Sequence, residues 1–439
     1  MADGFRTRSL HGSGRPDPAT GARATPIYQT TSYAFEDADA VAEQYALRRG
    51  GHVYSRISNP TVETLENRLA ALAGGIEAIA TGAGMAALDS LTTVLASAGD
   101  SIVASSDCYG GTGTYFSTLA PRRGIEVRTV DTLAYDAYEA AIDETTAYVH
   151  VETLSNPSLL TPDFERLAAI AHDHAVPLVV DNTFATPYLC RPIEHGADLV
   201  WESTTKWIHG SGTTIGGVLV DGGTFPWDHP DADYPELSGD NPAFGFDFTD
   251  RFGDRAFAVA ARHRALRLLG NGQSPFDAWV TMQGLETLPL RMERHGENAR
   301  TVAEFLREDD RIAWVRYPGF EAHPTHENAA RYLDGFGGMI AFGLEGGYGA
   351  AKAVCEGVEL VSFLANIGDA KSLIIHPAST THAQLSREAQ RAAGVEPEML
   401  RLSVGIEDAD DVIADLDRAI SLAHTDHDNT SEPGSETTE

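Results

Sequence analysis

A chain of 439 residues with 42% apolar content can bury two or three packed cores, and that argues against disorder. Its 64 acidic residues against 32 basic ones give a net charge of −32, spread along the sequence, which speaks against binding nucleic acid or an acidic membrane surface. Only Lys206, Lys352 and Lys371 are lysines, and so acidic a chain suits a high-salt cytoplasm, where carboxylates keep a crowded surface hydrated.

The first 58 residues lack regular periodicity and read as an extended N-terminal arm that lies on another subunit. They carry the polar–aromatic run from Pro26 to Tyr33 and show no apolar leader, so the expectation is a cytoplasmic protein. No apolar run is long enough to span a bilayer. Asn59-Pro60 opens a helix, with Asn59 as cap, Val62, Leu65, Leu69 and Leu72 on one face, and Gly74-Gly75 as the stop.

Short apolar runs then alternate with helical patterns. Expected strands are 76–80, 102–105, 127–130, 148–151, 178–180, 199–201 and 215–220, with helices at 85–95 and 164–174 between some of them. This alternation predicts an α/β protein with a large, mainly parallel sheet buried on both faces. The domain spans 59–289 and contains a long polar insert at 221–256. Ser274-Pro275 opens a helix near its end. A smaller C-terminal α/β domain is expected over 290–424, with strands at 340–342 and 400–404. The acidic segment 425–439 reads as a disordered tail.

Cys108, Cys190 and Cys355 are far apart, with no spacing for a disulfide framework or a zinc site. The 16 histidines form no tight ligand cluster, and His172 and His174 diverge on their predicted helix. No metal is expected, and a metal-dependent hydrolase or a non-enzymatic binding protein are the weaker readings.

Four segments carry chemistry. Lysine, unlike arginine, can lose its proton in a buried site and attack a carbonyl, so Lys206 in Ser203-Thr204-Thr205-Lys206 is the candidate for a Schiff base. Asp181 ends an apolar strand, where open α/β sheets build their sites, and a carboxylate there would keep a pyridine nitrogen protonated. Thr81-Gly82-Ala83-Gly84-Met85 follows a strand and opens a helix, a turn that offers backbone N–H groups to a phosphate. Tyr109, in Asp107-Cys108-Tyr109-Gly110-Gly111-Thr112, would stack on a ring. Taken together, at successive strand ends, they point to pyridoxal 5'-phosphate (PLP).

The motifs Tyr54-Ser55-Arg56-Ile57-Ser58-Asn59-Pro60-Thr61, Asp181-Asn182-Thr183-Phe184-Ala185-Thr186-Pro187-Tyr188, Ser203-Thr204-Thr205-Lys206 and Arg401-Leu402-Ser403-Val404-Gly405-Ile406-Glu407 resemble the Cys/Met metabolism family of PLP enzymes, from about residue 20 to about residue 422. Within it the chain is most similar to O-acetylhomoserine sulfhydrylases. That likeness rests on Tyr109-Gly110-Gly111-Thr112, on the insert ending near Asn241-Pro242-Ala243-Phe244, and on the runs 366–373 and 376–382. The resemblance implies an aspartate-aminotransferase-like fold (PLP fold type I) and a homotetramer of two catalytic dimers. It implies that Lys206 holds PLP, Asp181 its ring nitrogen and Tyr109 its face. Gly84, Met85, Ser203 and Thr205 would bind the phosphate, Tyr54 and Arg56 the phosphate of a neighbouring subunit, and Asn156 the ring hydroxyl. Arg401 would clamp the substrate carboxylate, with Ser372 and Tyr54 also meeting substrate.

The implied reaction is γ-replacement on O-acetyl-L-homoserine by sulfide or a small thiol. Rival activities with the same chemistry are cystathionine γ-synthase or γ-lyase, methionine γ-lyase, and β-replacement on activated serine. Two positions depart from the family pattern. Ala83 stands where many relatives carry a hydroxyl, and Gly111 stands where methionine γ-lyases carry cysteine.

Overall fold

The structure, a computed structural model, describes residues 4–12, 16–239, 244–383 and 386–430. These form two compact units. The first takes its residues from 1–106, 111–153 and 162–289, the second from 107–110, 154–161 and 290–439. Among the described residues, no helix is long and apolar enough to cross a membrane.

In the first unit the apolar runs become seven strands: β1 (Glu77–Thr81), β2 (Ser101–Ser105), β3 (Glu126–Val130), β4 (Thr146–Glu152), β5 (Leu178–Asp181), β6 (Leu199–Glu202) and β7 (Gly217–Asp221). Their order is β1-β7-β6-β5-β4-β2-β3. Strands β6, β5, β4, β2 and β3 are parallel, while β7 runs antiparallel to both β1 and β6. The connection from β6 to β7 holds no crossover helix, so the chain turns back beside β6. Strands β2 and β4 to β7 are buried at every residue, as the unbroken apolar runs require.

Helix Pro60–Ala73 begins where Asn59 accepts the Thr61 N–H at 3.0 Å and ends at Gly74, whose φ of 79° is the left-handed cap that glycine adopts without penalty. Helices Gly84–Leu95 and Phe164–Asp173 match the predicted patterns within one residue. The N-terminal segment is less irregular than its sequence suggests, with helices at Phe5–His11 and Ala38–Tyr45.

The insert also departs from the expectation of a polar loop. Phe225, Trp227, Tyr234, Leu237 and Phe248 join the core of the sheet, and Phe248–Phe252 is helical. Its polar residues outnumber these aromatics and mask them. Asn241 to Ala243, part of the motif quoted above, lie outside the described residues.

The second unit holds a five-stranded sheet of β8 (Ile312–Arg316), β9 (Met339–Leu344), β10 (Ser362–Phe363), β11 (Leu373–Ile375) and β12 (Met399–Ser403), in the order β10-β11-β12-β9-β8. Ile340 and Phe342 on β9 and Leu400 and Leu402 on β12 pack with Val302, Val354 and Leu416 from three helices. The last helix, Ala409–Thr430, runs past the expected start of a disordered tail at 425. Val412, Leu416, Ala419, Ile420 and Ala423, at helical spacing, anchor it to the core, and its final turns extend from that anchor. Residues 431–439 lie outside the described residues.

Candidate active site

In the first unit, the carboxyl ends of β4, β5 and β6 lie side by side. Register pairs Glu152 with Asp181 and Asp181 with Trp201, so these three side chains share one face. Asp181 is buried, and its Oδ1 accepts the Thr183 N–H at 2.9 Å and the Thr183 hydroxyl at 2.6 Å. Burial pushes its carboxyl up to about 7, against the lowering pull of both Thr183 groups. A protonated ring nitrogen beside Asp181 would restore the ionised form and supply the positive partner that no side chain among the described residues gives it.

Thr183 also ties the two strand ends together, because its Oγ1 accepts the Ser203 N–H at 2.9 Å. The turn after β6 then carries Lys206, whose N–H donates to the Ser203 carbonyl at 3.2 Å. Trp207 beside it is fully buried. Gly216 and Thr205 hold this turn to the start of β7: the Gly216 N–H donates to Thr205 Oγ1 at 3.0 Å, and that hydroxyl reaches the Gly216 carbonyl at 3.1 Å. The Thr205 hydroxyl therefore has a scaffold partner as well as its expected place at a phosphate.

Helix Gly84–Leu95 starts against the same turn. Its N-cap, Ala83, is extended and supplies no capping side chain; the Ala86 N–H donates to the Ala83 carbonyl, which leaves the Gly84 and Met85 N–H groups to another acceptor. A Cβ on Gly84 would fall 2.8 Å from Ser203 Cβ and 3.0 Å from Ser203 Cα, so only glycine lets the helix end come this close. Gly84, Met85, Ser203, Thr205, Asp181 and Lys206 thus belong to one neighbourhood. An amine, a buried carboxyl and an uncapped helix start fit the aldehyde, ring nitrogen and phosphate of PLP.

Tyr54 and Arg56 are exposed on the segment before helix Pro60–Ala73. The Arg56 guanidinium lies 4.9 Å from the Tyr54 ring centroid, and its Nε donates to the Arg267 carbonyl at 2.9 Å.

Four predicted residues fall in the second unit. Arg401 on β12 donates from Nη1 to Asn156 Oδ1 at 2.8 Å. Burial pushes its guanidinium down to about 10, and among the described residues it has no carboxylate partner. It remains a cation at neutral pH, well suited to an anionic ligand. Tyr109 is 45% exposed. The Ser372 hydroxyl is held within the unit. It donates to Glu407 Oε2 at 3.0 Å and accepts from Gly405 N–H at 2.8 Å, while the Ser372 N–H donates to Glu407 Oε1 at 2.6 Å. Ser372 and Glu407 therefore brace the exit of β12.

Sequence reasoning missed Thr183, Asn182, Glu202 and Glu407 as individuals. Thr183 had a signal, a hydroxyl two residues after a strand-end aspartate. The others act across strands and had none.

The family described as Cys/Met metabolism PLP-dependent enzyme matches residues 6–421. A homocysteine synthase of Schizosaccharomyces pombe is 47% identical over 422 residues, covering 95% of this chain and 98% of that one. An O-acetyl-L-homoserine sulfhydrylase of Thermus thermophilus is 48% identical over 421 residues, covering 95% of this chain and 100% of that one. A solved structure from Campylobacter jejuni, assigned as an O-acetylhomoserine (thiol)-lyase, carries N'-pyridoxyl-lysine-5'-monophosphate. It is 38% identical with a TM-score of 0.92, and the match covers 95% of this chain and 100% of that one. Agreement of that extent in sequence and in fold decides the matter: this chain belongs to the Cys/Met metabolism family of PLP-dependent enzymes.

Proposed function

We propose that the protein replaces the acetate of O-acetyl-L-homoserine with sulfide or a small thiol. The products are acetate and homocysteine, or methionine when the donor is methanethiol. The observation that carries this reading is the buried Asp181 carboxyl beside the turn that bears Lys206, a pairing suited to an electron-withdrawing pyridine. Relatives named homocysteine synthase and O-acetyl-L-homoserine sulfhydrylase, nearly full length at 47% and 48% identity, support the substrate.

Bound PLP supplies an electron sink for charge that develops at the substrate carbons. Lys206 would hold the cofactor and, once freed by the substrate amine, take the proton from Cα. Loss of a second proton at Cβ lets acetate leave from Cγ; the sulfur then adds at Cγ, and protons return to Cβ and Cα to give the product amino acid. Asp181 would keep the ring nitrogen protonated. Gly84 and Met85 N–H groups, with the Ser203 and Thr205 hydroxyls, would hold the phosphate, Tyr109 would cover the ring and Asn156 would contact its hydroxyl. Arg401 would take the substrate carboxylate. Tyr54 and Arg56, exposed on this chain, would serve the cofactor of a neighbouring subunit in a homotetramer, and Tyr54 would meet substrate there.

Lys206→Ala should lower kcat/KM on the order of 10³-fold or more, with loss of the borohydride-reducible absorbance of the bound cofactor. Retained turnover would remove Lys206 from this role. The substrate is tested with O-acetylhomoserine, O-succinylhomoserine, cystathionine and methionine, each with and without sulfide. Turnover of O-acetylhomoserine that depends on sulfide supports the proposal. Preferred breakdown of cystathionine or methionine overturns it in favour of a lyase.

A further inference from the structure

Behind Asp181, on the opposite face of the sheet, lies a second buried carboxyl that the proposed reaction does not use. Glu202 ends β6 and is 1% exposed. Side chains alternate along a strand, so Asn182 and Glu202 point away from the face that Asp181 and Trp201 share. The Asn182 amide makes three hydrogen bonds. Its Oδ1 accepts the Thr153 hydroxyl at 2.7 Å, and its Nδ2 donates to the Cys190 carbonyl at 3.0 Å and to Glu202 Oε1 at 3.0 Å. The Cys190 carbonyl accepts only, so it fixes which end of the amide faces Glu202. One residue thus pins the ends of β4, β5 and β6.

Glu202 receives that single neutral hydrogen bond. Its Oε2 is buried with no partner, and no cation pairs with it among the described residues. The groups acting on it are its own burial, the Asn182 amide and the negative charge of Asp181, and burial and Asp181 both favour the protonated form.

We infer that Glu202 is a positioning residue that works as an uncharged carboxylic acid: it holds Asn182 in place behind Asp181 and keeps a second negative charge away from the back of the PLP ring-nitrogen site. This rests on the reading of Asp181 as the ring-nitrogen partner, but the state of Glu202 can be measured in the apoprotein.

Glu202→Gln has the shape and hydrogen-bonding groups of the neutral acid and can never ionise. Glu202→Ala removes the Asn182 partner. In wild-type apoprotein, the folded state keeps a proton that unfolded Glu202 releases above its ordinary value, so this group lowers stability progressively as pH rises from the acid range. The melting temperature of apo Glu202→Gln minus that of wild type should therefore increase by several °C between pH 5 and pH 8. In the holoenzyme, Glu202→Gln should keep PLP affinity within threefold, while Glu202→Ala should weaken it about tenfold. A melting difference that is flat or reversed with pH, or a tenfold loss of PLP affinity in Glu202→Gln, would show that Glu202 is ionised and overturn the inference. Asp181→Asn serves as the separate control. If it binds PLP like wild type, the Asp181 reading fails while the apoprotein result for Glu202 still stands.

Discussion

Two buried clusters in the first unit answer the same question in opposite ways. Glu66, on the helix after Asn59, is 4% exposed, yet every demand of its charge is met. Its Oε1 accepts the Ala80 N–H at 2.9 Å and Arg262 Nη1 at 3.3 Å, and its Oε2 accepts Arg262 Nη2 at 2.9 Å. Arg262 in turn donates to the carbonyls of Ile57 and Ala78. Asp181 and Glu202, as deeply buried, have hydroxyl, amide and N–H partners and, among the described residues, no cation. The first cluster fastens a helix to β1. The second is tolerable when a carboxyl is neutral, or when a bound ligand brings the missing positive charge. Burial alone therefore does not mark a functional group; burial without a counter-charge marks a candidate, and Asp221, buried with only backbone N–H partners, shows that the mark also falls on structural carboxyls.

The sharpest way to break this contrast is to make the paired cluster unpaired. Glu66→Ala leaves the buried Arg262 guanidinium with Glu77, 4.0 Å away, in place of its hydrogen-bonded carboxylate, which should cost about 3 kcal/mol in chemical denaturation. The double variant Glu66→Ala/Arg262→Leu should recover part of that loss, because the buried guanidinium that lost its partner is then gone as well. A single variant that costs less than about 1 kcal/mol would mean that water reaches Arg262 freely and that the two clusters do not differ as described.

Arg401 in the second unit is the cationic counterpart of Asp181: half-buried, hydrogen-bonded to Asn156, and without a carboxylate partner among the described residues. Its value to substrate binding should lie in the planar, two-pronged guanidinium. Arg401→Lys keeps the charge and loses the fork. KM for the amino-acid substrate should rise about 10- to 100-fold, the equivalent of about 1.5–3 kcal/mol, with the cofactor absorbance unchanged. An unchanged KM in steady-state assays would mean that the carboxylate is bound elsewhere.

These cases also show how far the sequence alone reaches. Strands β2 and β4 to β7 were legible because strands buried on both faces are written as mainly apolar runs, while the edge strand β3, largely unburied, showed through its two valines. Asp181 was legible as a charge at the end of such a run, and Lys206 because lysine is nearly absent from the chain. Arg401 became visible only through family resemblance, since an arginine on a strand has many ordinary uses. Strands β8, β10 and β11 escaped notice, two of them because they span only two or three residues. Glu202 and Asn182 were invisible as a pair because their link crosses from β6 to the end of β5, and no local pattern records which strands become neighbours. The Ser372–Glu407 brace is of the same kind, spanning 35 residues of sequence.

The smallest expected effect completes the comparison, because it keeps the pairing and removes the burial. Arg300 Nε and Glu304 Oε1 meet at 3.0 Å one helical turn apart, with side chains 61% and 43% exposed. Water already solvates both charges, so the pair should contribute less than about 0.5 kcal/mol. Glu304→Ala also removes one negative charge from a chain of net −32, and relief of that repulsion works against the lost pair. In dilute buffer the two effects should cancel to within about 0.5 kcal/mol. In 1 M salt, where the screening length falls to about 3 Å, both should fade and leave little beyond the helix propensity of alanine. Denaturation curves at the two salt levels test this directly. A loss above about 1 kcal/mol at either would mean that a solvated pair can match a buried one, and counter-charge would no longer separate structural clusters from functional ones.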